Sequence, residues 1–542
     1  MHLSTRMSTR AALGALLAAA LALTACGGGG GTTGSNKPAK NDVTSVINGA
    51  LSSDGPARDG GSLTVYDTSD APSLDISNAS YNVHTHTSGL VYNKLLKYDT
   101  SRDIVYGAQK LTGDLAETWD MSSDGKTWTF HLRHGVLFQN VAPVNGHEFT
   151  SADVACTMDK IHTAPGAVQA GLMSVVDTLE TPDPYTAIFH LNSSFGAFDQ
   201  SIASYNMEMI PCEGAHGEFD MKSTAIGTGP FTLTSWNKGV STIYTKNPTY
   251  FEPGKPHLDK FTILIMQDTA QQLAAYRTQQ IDMIAVNTTT MQQVLATNPS
   301  DLARAQLAVT LNMIYINNTT KPFDDPRVRK AIAMAWDRKG MGSQWYYDFK
   351  LSTGFPSTFT GAMTPEESDA MWPHDVEGAK KLLAEAGYPN GLDVELTITD
   401  GYGQTNVDQA QWIQADLKAI GINTTIKQLD YATWSSNVLV LPKEGQQYTL
   451  AYGPNSGLAS PDEWLTSFYK SGSTRNAFNV NDAKLDQMIA NQRTILDPAQ
   501  RAKVLHDTAV YIGENVLGPV TGFQAAGITF QAPWVHNVYG AP

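Results

Sequence analysis

The sequence predicts an α/β protein of two or three lobes rather than a single barrel. Three observations carry this. Segments that alternate apolar and polar residues, as half-buried strands do, are interleaved with segments whose apolar residues recur at helical spacing. No single strand–helix period runs through the chain, which argues against one closed barrel of repeated units. And 542 residues, 42% apolar and 16% charged, allow roughly three or four domain-sized units with ample core material. That balance excludes a disordered, collagen-like or coiled-coil chain.

The chain opens on a targeting segment. Arg6 and Arg10 precede an apolar run from Ala11 to Leu23. The run is shorter than the about 20 residues a bilayer span needs, and has the size of a signal-peptide core. It ends in Leu23-Thr24-Ala25-Cys26, followed by Gly27 to Gly31. This resembles a bacterial lipobox, which implies cleavage of residues 1–25 and acylation of Cys26 with palmitate-type chains. Two or more acyl chains anchor firmly where one binds only marginally. Residues 26–59 are rich in Gly, Ser, Thr, Asn and Lys and read as a flexible tether. No later run offers 18 uninterrupted apolar residues. The expectation is a body tied to the outer face of a membrane. Cys156 and Cys212 remain for that body; an oxidising compartment permits them to pair, two buried thiols being the alternative.

In the body, Ser62-Leu63-Thr64-Val65-Tyr66 reads as a first strand and Trp128-Thr129-Phe130-His131-Leu132 as another. Thr150-Ser151-Ala152-Asp153 has the form of a capping box, with Val154, Met158 and Ile161 forming the apolar face behind it. Phe261, Ile263 and Ile265 alternate as a strand. Asp325-Pro326 supplies an N-cap and a proline in the first turn; Val328, Ala331, Ile332, Ala335 and Trp336 then form a buried stripe. Leu382, Leu383 and Ala386 mark a helix stopping at Gly387, and Val394, Leu396 and Ile398 a strand. Ile413, Leu417 and Ile420 form a helix ending at Gly421. Leu485, Met488, Ile489 and Leu496 form another, and Asp497-Pro498 opens one more.

The formal charge is −15, and an acidic chain repels phosphate backbones, so a nucleic-acid partner is not expected. There is no G-x-S-x-G elbow, and His147-Glu148 lacks the second histidine of H-E-x-x-H. Gly125-Lys126-Thr127 lacks the earlier P-loop glycine, its place being taken by Asp120. Gly227-Thr228-Gly229 runs into Pro230 rather than a dinucleotide fingerprint. His84 and His86 read as solvated loop residues rather than metal ligands. No metal and no cofactor is expected.

Several blocks carry a family resemblance. Leu115-Ala116-Glu117-Thr118-Trp119, Asp124-Gly125-Lys126, Trp128 to Val136, Phe138 and Ser151-Ala152-Asp153-Val154 come first. Gly227-Thr228-Gly229-Pro230-Phe231 and Asn247-Pro248-Thr249-Tyr250-Phe251 follow, then Tyr276 with Ile281-Asp282. Asn317, Pro322-Phe323, Asp325, Val328-Arg329 and Asp337-Arg338 form another, and Ala379 to Tyr388 a further one. In order and with compatible gaps, they resemble the family 5 extracellular solute-binding proteins of bacterial ABC importers, the peptide and nickel group. The resemblance implies an α/β, two-lobe periplasmic-binding-protein-like fold with a hinge and an extra small subdomain. Lobe I maps to 60–92, 215–305 and 520–542, its subdomain to 93–214, and lobe II to 306–519. It also implies a monomeric receptor, not an enzyme, that closes on a peptide or other small solute and docks on a permease with its partner ATPase. Most of the signature residues are read as scaffold, Trp128 and Arg133 among them.

Peptide-binding members of the family pair the ligand ammonium with an Asp four residues before a Pro. Here that place is Gly457, before Pro461, and Pro454 replaces the usual Trp. Asp462 or Glu463 is the expected substitute; otherwise the ligand is neutral, an oligosaccharide being the natural alternative. The expected ligand-binding residues are Tyr81, Asn82 and His84 in lobe I. In lobe II they are Tyr346, Tyr347, Tyr402, Trp434, Tyr452, Gly453, Asn455, Ser456 and Gly457. A secreted two-lobe hydrolase and a surface sensor stay open as other classes.

Overall fold

A computed structural model describes residues 55–538, apart from 78–80, 102–109, 166, 168, 299, 440–447, 456–457 and 459. Cys26, the lipobox and most of the tether lie outside the described residues. Three sheets, beside a two-stranded pair of Leu96–Tyr98 and Leu111–Gly113, organise the described residues. The first orders its strands Ser62–Asp67, Lys260–Ile265, Ser241–Lys246 and Phe231–Asn237. Its first pair is parallel and the rest antiparallel.

The second sheet has seven strands. Its path runs Met283–Val286, Val520–Gln531, Leu302–Ile316, Leu450–Asn455, Leu392–Thr399 and Ile422–Leu429, with Phe349–Leu351 added on Val520–Gln531. Successive side chains of a strand face opposite ways, so its central strands feed two cores. Ile314 and Ile316 enter one, with Val328, Ala331 and Ile332 of helix Pro326–Ala335 and Ile413 and Leu417 of helix Gln404–Ala419. Leu311, Met313 and Tyr315 enter the other, with Trp464 of helix Pro461–Phe468, Ile489 of helix Ala483–Thr494 and Leu505 of helix Pro498–Asn515. Asp325 caps the first of these helices as expected, its Oδ1 accepting the Arg327 N–H at 2.8 Å.

The third sheet is antiparallel, in the order Ala116–Met121, Thr127–Leu132, Thr186–Leu191 and Val176–Asp183. Trp128, Phe130 and Phe189 pack with Val154, Met158 and Ile161 of helix Ser151–Thr163. Asp153 reaches back to accept the Thr150 N–H at 2.9 Å. Cys156 on this helix is bonded to Cys212, their Cα atoms 5.2 Å apart. Gly125 turns the chain between the first two strands at φ +67°, a backbone region nearly closed to other residues.

The long strands Leu302–Ile316 and Val520–Gln531 join two regions. At one end, Leu302 to Leu307 pair with Ala526 to Gln531, beside Met283–Val286. At the other, Leu311 to Ile314 pair with Val520 to Gln524, beside Leu450–Asn455. Register shifts lie between, at Leu307/Leu311 and Asn312/Met313. Such irregularities bend a ladder locally.

Two expectations need correction. Helix Ala483–Thr494 ends before Leu496, whose side chain instead lies against Gly125 and Gly196. The segment expected as a solvated loop carries helix Tyr81–Thr87, and His84 and His86 are buried there at 3% and 1% exposure. Polar ring nitrogens were legible as surface groups only because their buried partners, described below, lie far away in sequence. Among the described residues, no helix is long and apolar enough to cross a membrane.

Candidate functional site

One rim of the candidate cleft is the carboxyl end of strand Ser62–Asp67 with helix Tyr81–Thr87. Asn82 Nδ2 donates to Ser69 O at 2.7 Å, which ties the helix to the loop after the strand. Thr85 Oγ1 donates to Asn82 O at 3.0 Å and reaches Asp67 Oδ2 at 3.4 Å. His84 turns inward: its Nδ1 meets Glu208 Oε2 at 2.8 Å and its ring meets Tyr205 edge-on at 5.0 Å. His86 Nδ1 lies 3.0 Å from Thr242 Oγ1, and Tyr244 Oη donates to the His86 carbonyl at 2.7 Å. Burial pushes the His86 ring below its ordinary pKa, against the nearby Asp67 and Asp70 charges. Burial also raises the Asp67 carboxyl, against the Ser69 N–H and the His86 ring.

The opposite rim is aromatic. Tyr402 stands edge-to-face with Tyr431 at 5.4 Å and with Trp434 at 5.3 Å. Trp434 is fully buried and covers Gly453 so closely that a Cβ there would sit 3.0 Å from the indole. This explains a glycine inside strand Leu450–Asn455. Tyr315 Oη donates to the Pro454 carbonyl at 3.2 Å from the neighbouring strand. Burial raises the Tyr431 phenol, Tyr402 opposes the rise, and the Asp67 charge adds to it.

The expected ligand-binding residues separate into groups. Asn82, Tyr402, Gly453 and Asn455 lie on the two rims or on the strand beneath them. Tyr81 opens its helix. Tyr452 is fully buried, its Oη donating to Gln409 Oε1 at 2.9 Å, while Gln409 Nε2 donates to Tyr346 Oη at 3.1 Å. Tyr346 also packs on Phe523 at 5.6 Å. Tyr347 packs apart from these, against the cluster around Met266 and Tyr276. Ser456 and Gly457 lie outside the described residues.

The two acids expected to replace the missing one have other partners. Both Asp462 oxygens accept from Arg493, at 2.7 Å and 2.8 Å, and Gln492 adds a further donor. Glu463 Oε1 accepts from Ser204 Oγ at 2.7 Å and Asn206 Nδ2 at 3.3 Å. Arg493 lies 4.8 Å over the Phe195 ring, and its carbonyl accepts the Gly196 N–H at 3.1 Å. Together they fasten residues 195–206 to the helices after Pro461. Sequence reasoning missed this joint, because its halves are 257 and 259 residues apart. Among the described residues, no group of three or more His, Cys, Asp or Glu side chains could hold a metal ion.

The α/β body, with a polar group around Asp67 and an aromatic group around Tyr402, has the periplasmic-binding-protein fold of solved solute receptors. Residues 110–476 match the family described as bacterial extracellular solute-binding proteins, family 5. The chain belongs to that family: it is an extracytoplasmic solute-binding protein and not an enzyme. It is 27% identical over 503 residues to heme-binding protein A of Haemophilus influenzae, covering 87% of this chain and 86% of that one. It is 28% identical over 444 residues to di/tripeptide-binding protein 2 of Pseudomonas aeruginosa, covering 77% and 82%. Among solved structures, the periplasmic binding protein DppA of Helicobacter pylori, in complex with the peptide STSA, superposes with a TM-score of 0.76. That match covers 88% of this chain and 94% of the other at 23% identity.

Proposed function

We propose that this chain is the lipid-anchored receptor of an ABC importer, capturing a di- or oligopeptide between its lobes and handing it to the permease. The observation that carries the peptide reading is the similarity to the di/tripeptide-binding protein along most of both chains. The anchor is Cys26, with residues 1–25 removed and 26–59 as tether. Lobe I is taken as 60–92, 215–305 and 520–542, the subdomain as 93–214 and lobe II as 306–519. The sheet order supports this division, since strands from 62–67 and 231–265 share one sheet. The receptor acts as a monomer.

Asn82, Tyr402, Gly453 and Asn455, with Tyr81, Ser456 and Gly457, border the peptide. Trp434 backs Tyr402 and Gly453, Tyr452 and Tyr346 are joined through Gln409, and Tyr347 and His84 complete the set of residues assigned to the ligand. Solute drives closure only because it binds the closed form better than the open one. A second reading is a neutral non-peptide solute, and Gly457 in place of an acid is the observation favouring it.

Native mass spectrometry of the mature protein straight from purification tests both. Denaturation releases whatever was bound. Masses differing by amino-acid residues are the expected result. A single hexose-spaced or other neutral mass would sink the peptide reading.

A further inference from the structure

We infer that Asp67 is the carboxylate that receives a cationic nitrogen of the solute, in place of the acid missing at Gly457. The inference rests on the peptide reading above and names the group that would recognise the peptide's free amine. Both acids beside Gly457 are engaged: Asp462 by Arg493 and Gln492, and Glu463 by Ser204 and Asn206. To take up an ammonium, either would have to give up bonds that hold the joint between residues 195–206 and the helices after Pro461.

Asp67 is placed differently. It ends strand Ser62–Asp67, which runs parallel to Lys260–Ile265. Solutes of open α/β sheets bind beyond the carboxyl ends of such strands. Its side chain is half-buried but weakly held. The Ser69 N–H reaches Oδ1 at 3.3 Å and the Thr85 hydroxyl reaches Oδ2 at 3.4 Å, and that hydroxyl has a closer acceptor in Asn82 O at 3.0 Å. Among the described residues no lysine or arginine pairs with it. The basic ring that influences it, His86, is directed to Thr242, and burial lowers its pKa.

A carboxylate withdrawn from water without a counter-charge carries a desolvation cost. An arriving ammonium removes that cost. The Asp67 charge also reaches Tyr431, which stands edge-to-face with Tyr402 at 5.4 Å.

The test is calorimetric titration of the mature protein with di-, tri- and tetraalanine and with their N-acetyl derivatives. The wild type is expected to bind a free-amine peptide about tenfold or more tighter than its acetylated form, the ratio for one charge-assisted contact. Asp67→Asn is expected to abolish the difference, and Asp67→Glu to restore part of it. Equal binding of free and acetylated peptides by the wild type overturns the inference without any variant. So does an Asp67→Asn protein that still discriminates; either result leaves the peptide reading standing. Failure of every alanine peptide to bind the wild type overturns the peptide reading itself, and the inference with it.

Discussion

Glu252 shows how a single side chain ties stability to acid pH. It accepts from Lys97 at 2.5 Å and Lys255 at 2.7 Å. Burial alone would raise its carboxyl, but the two lysines outweigh burial and hold it at about 2, against an ordinary 4.5. The unfolded chain therefore takes up this proton first as pH falls. The stability Glu252 supplies is complete above pH 4.5 and drains away as pH falls toward 2. Glu252→Gln is expected to flatten that part of the profile, read as unfolding free energy from denaturant titrations at stepped pH. Identical slopes for both proteins would refute the assignment. Such roles were not legible in the sequence, because Lys97 is 155 residues from Glu252. The same reason hid the bonds that occupy Asp462 and Glu463, which a local reading left available for ligand.

At the scale of elements the sequence was far more informative, because helices and strands announce themselves locally. The Asp325-Pro326 start, the Thr150 cap and the alternation at 128–132 each depend on neighbours within a turn or two. What failed was helix Tyr81–Thr87, whose sequence YNVHTHT carries no apolar stripe; it is held by tertiary bonds from Glu208, Thr242 and Tyr244. The Gly227-Thr228-Gly229 block had been set aside as a nucleotide motif, and its packing supplies the physical reason for the glycines. A Cβ on Gly227 would overlap the Val91 carbonyl, and one on Gly229 the backbone of Leu90 and Val91. Thr228 meanwhile donates to Asn93 Oδ1 at 3.0 Å. Gly227→Ala is expected to cost about 1–3 kcal/mol, as overpacking does. Thermal unfolding compared with Gly171→Ala, which meets nothing within 4 Å, checks it. Equal melting points would show that the backbone yields freely.

For the whole molecule, the α/β class was legible from the alternation of patterns, and the two-lobe arrangement from the ordered family blocks. The register shifts at Leu307/Leu311 and Asn312/Met313 were not, since they leave no compositional mark. Hinge closure places its φ/ψ changes in a few such positions. Small-angle scattering is therefore expected to show a smaller radius of gyration when a solute binds. An unchanged radius, with the melting point raised by the same solute, would mean binding without closure.

The strand Val520–Gln531 lies inside the second sheet, between Met283–Val286 and Leu302–Ile316. Its partners lie far earlier in the sequence. Strand Ser62–Asp67 likewise waits for distant partners: the Thr64 N–H is bonded to Asp282, 218 residues away. Contacts so remote in sequence make folding slow, because each requires a large loop to close first. The second sheet therefore stays incomplete until this strand is in place. It also means that stopping synthesis short of Val520 removes an interior strand rather than a tail.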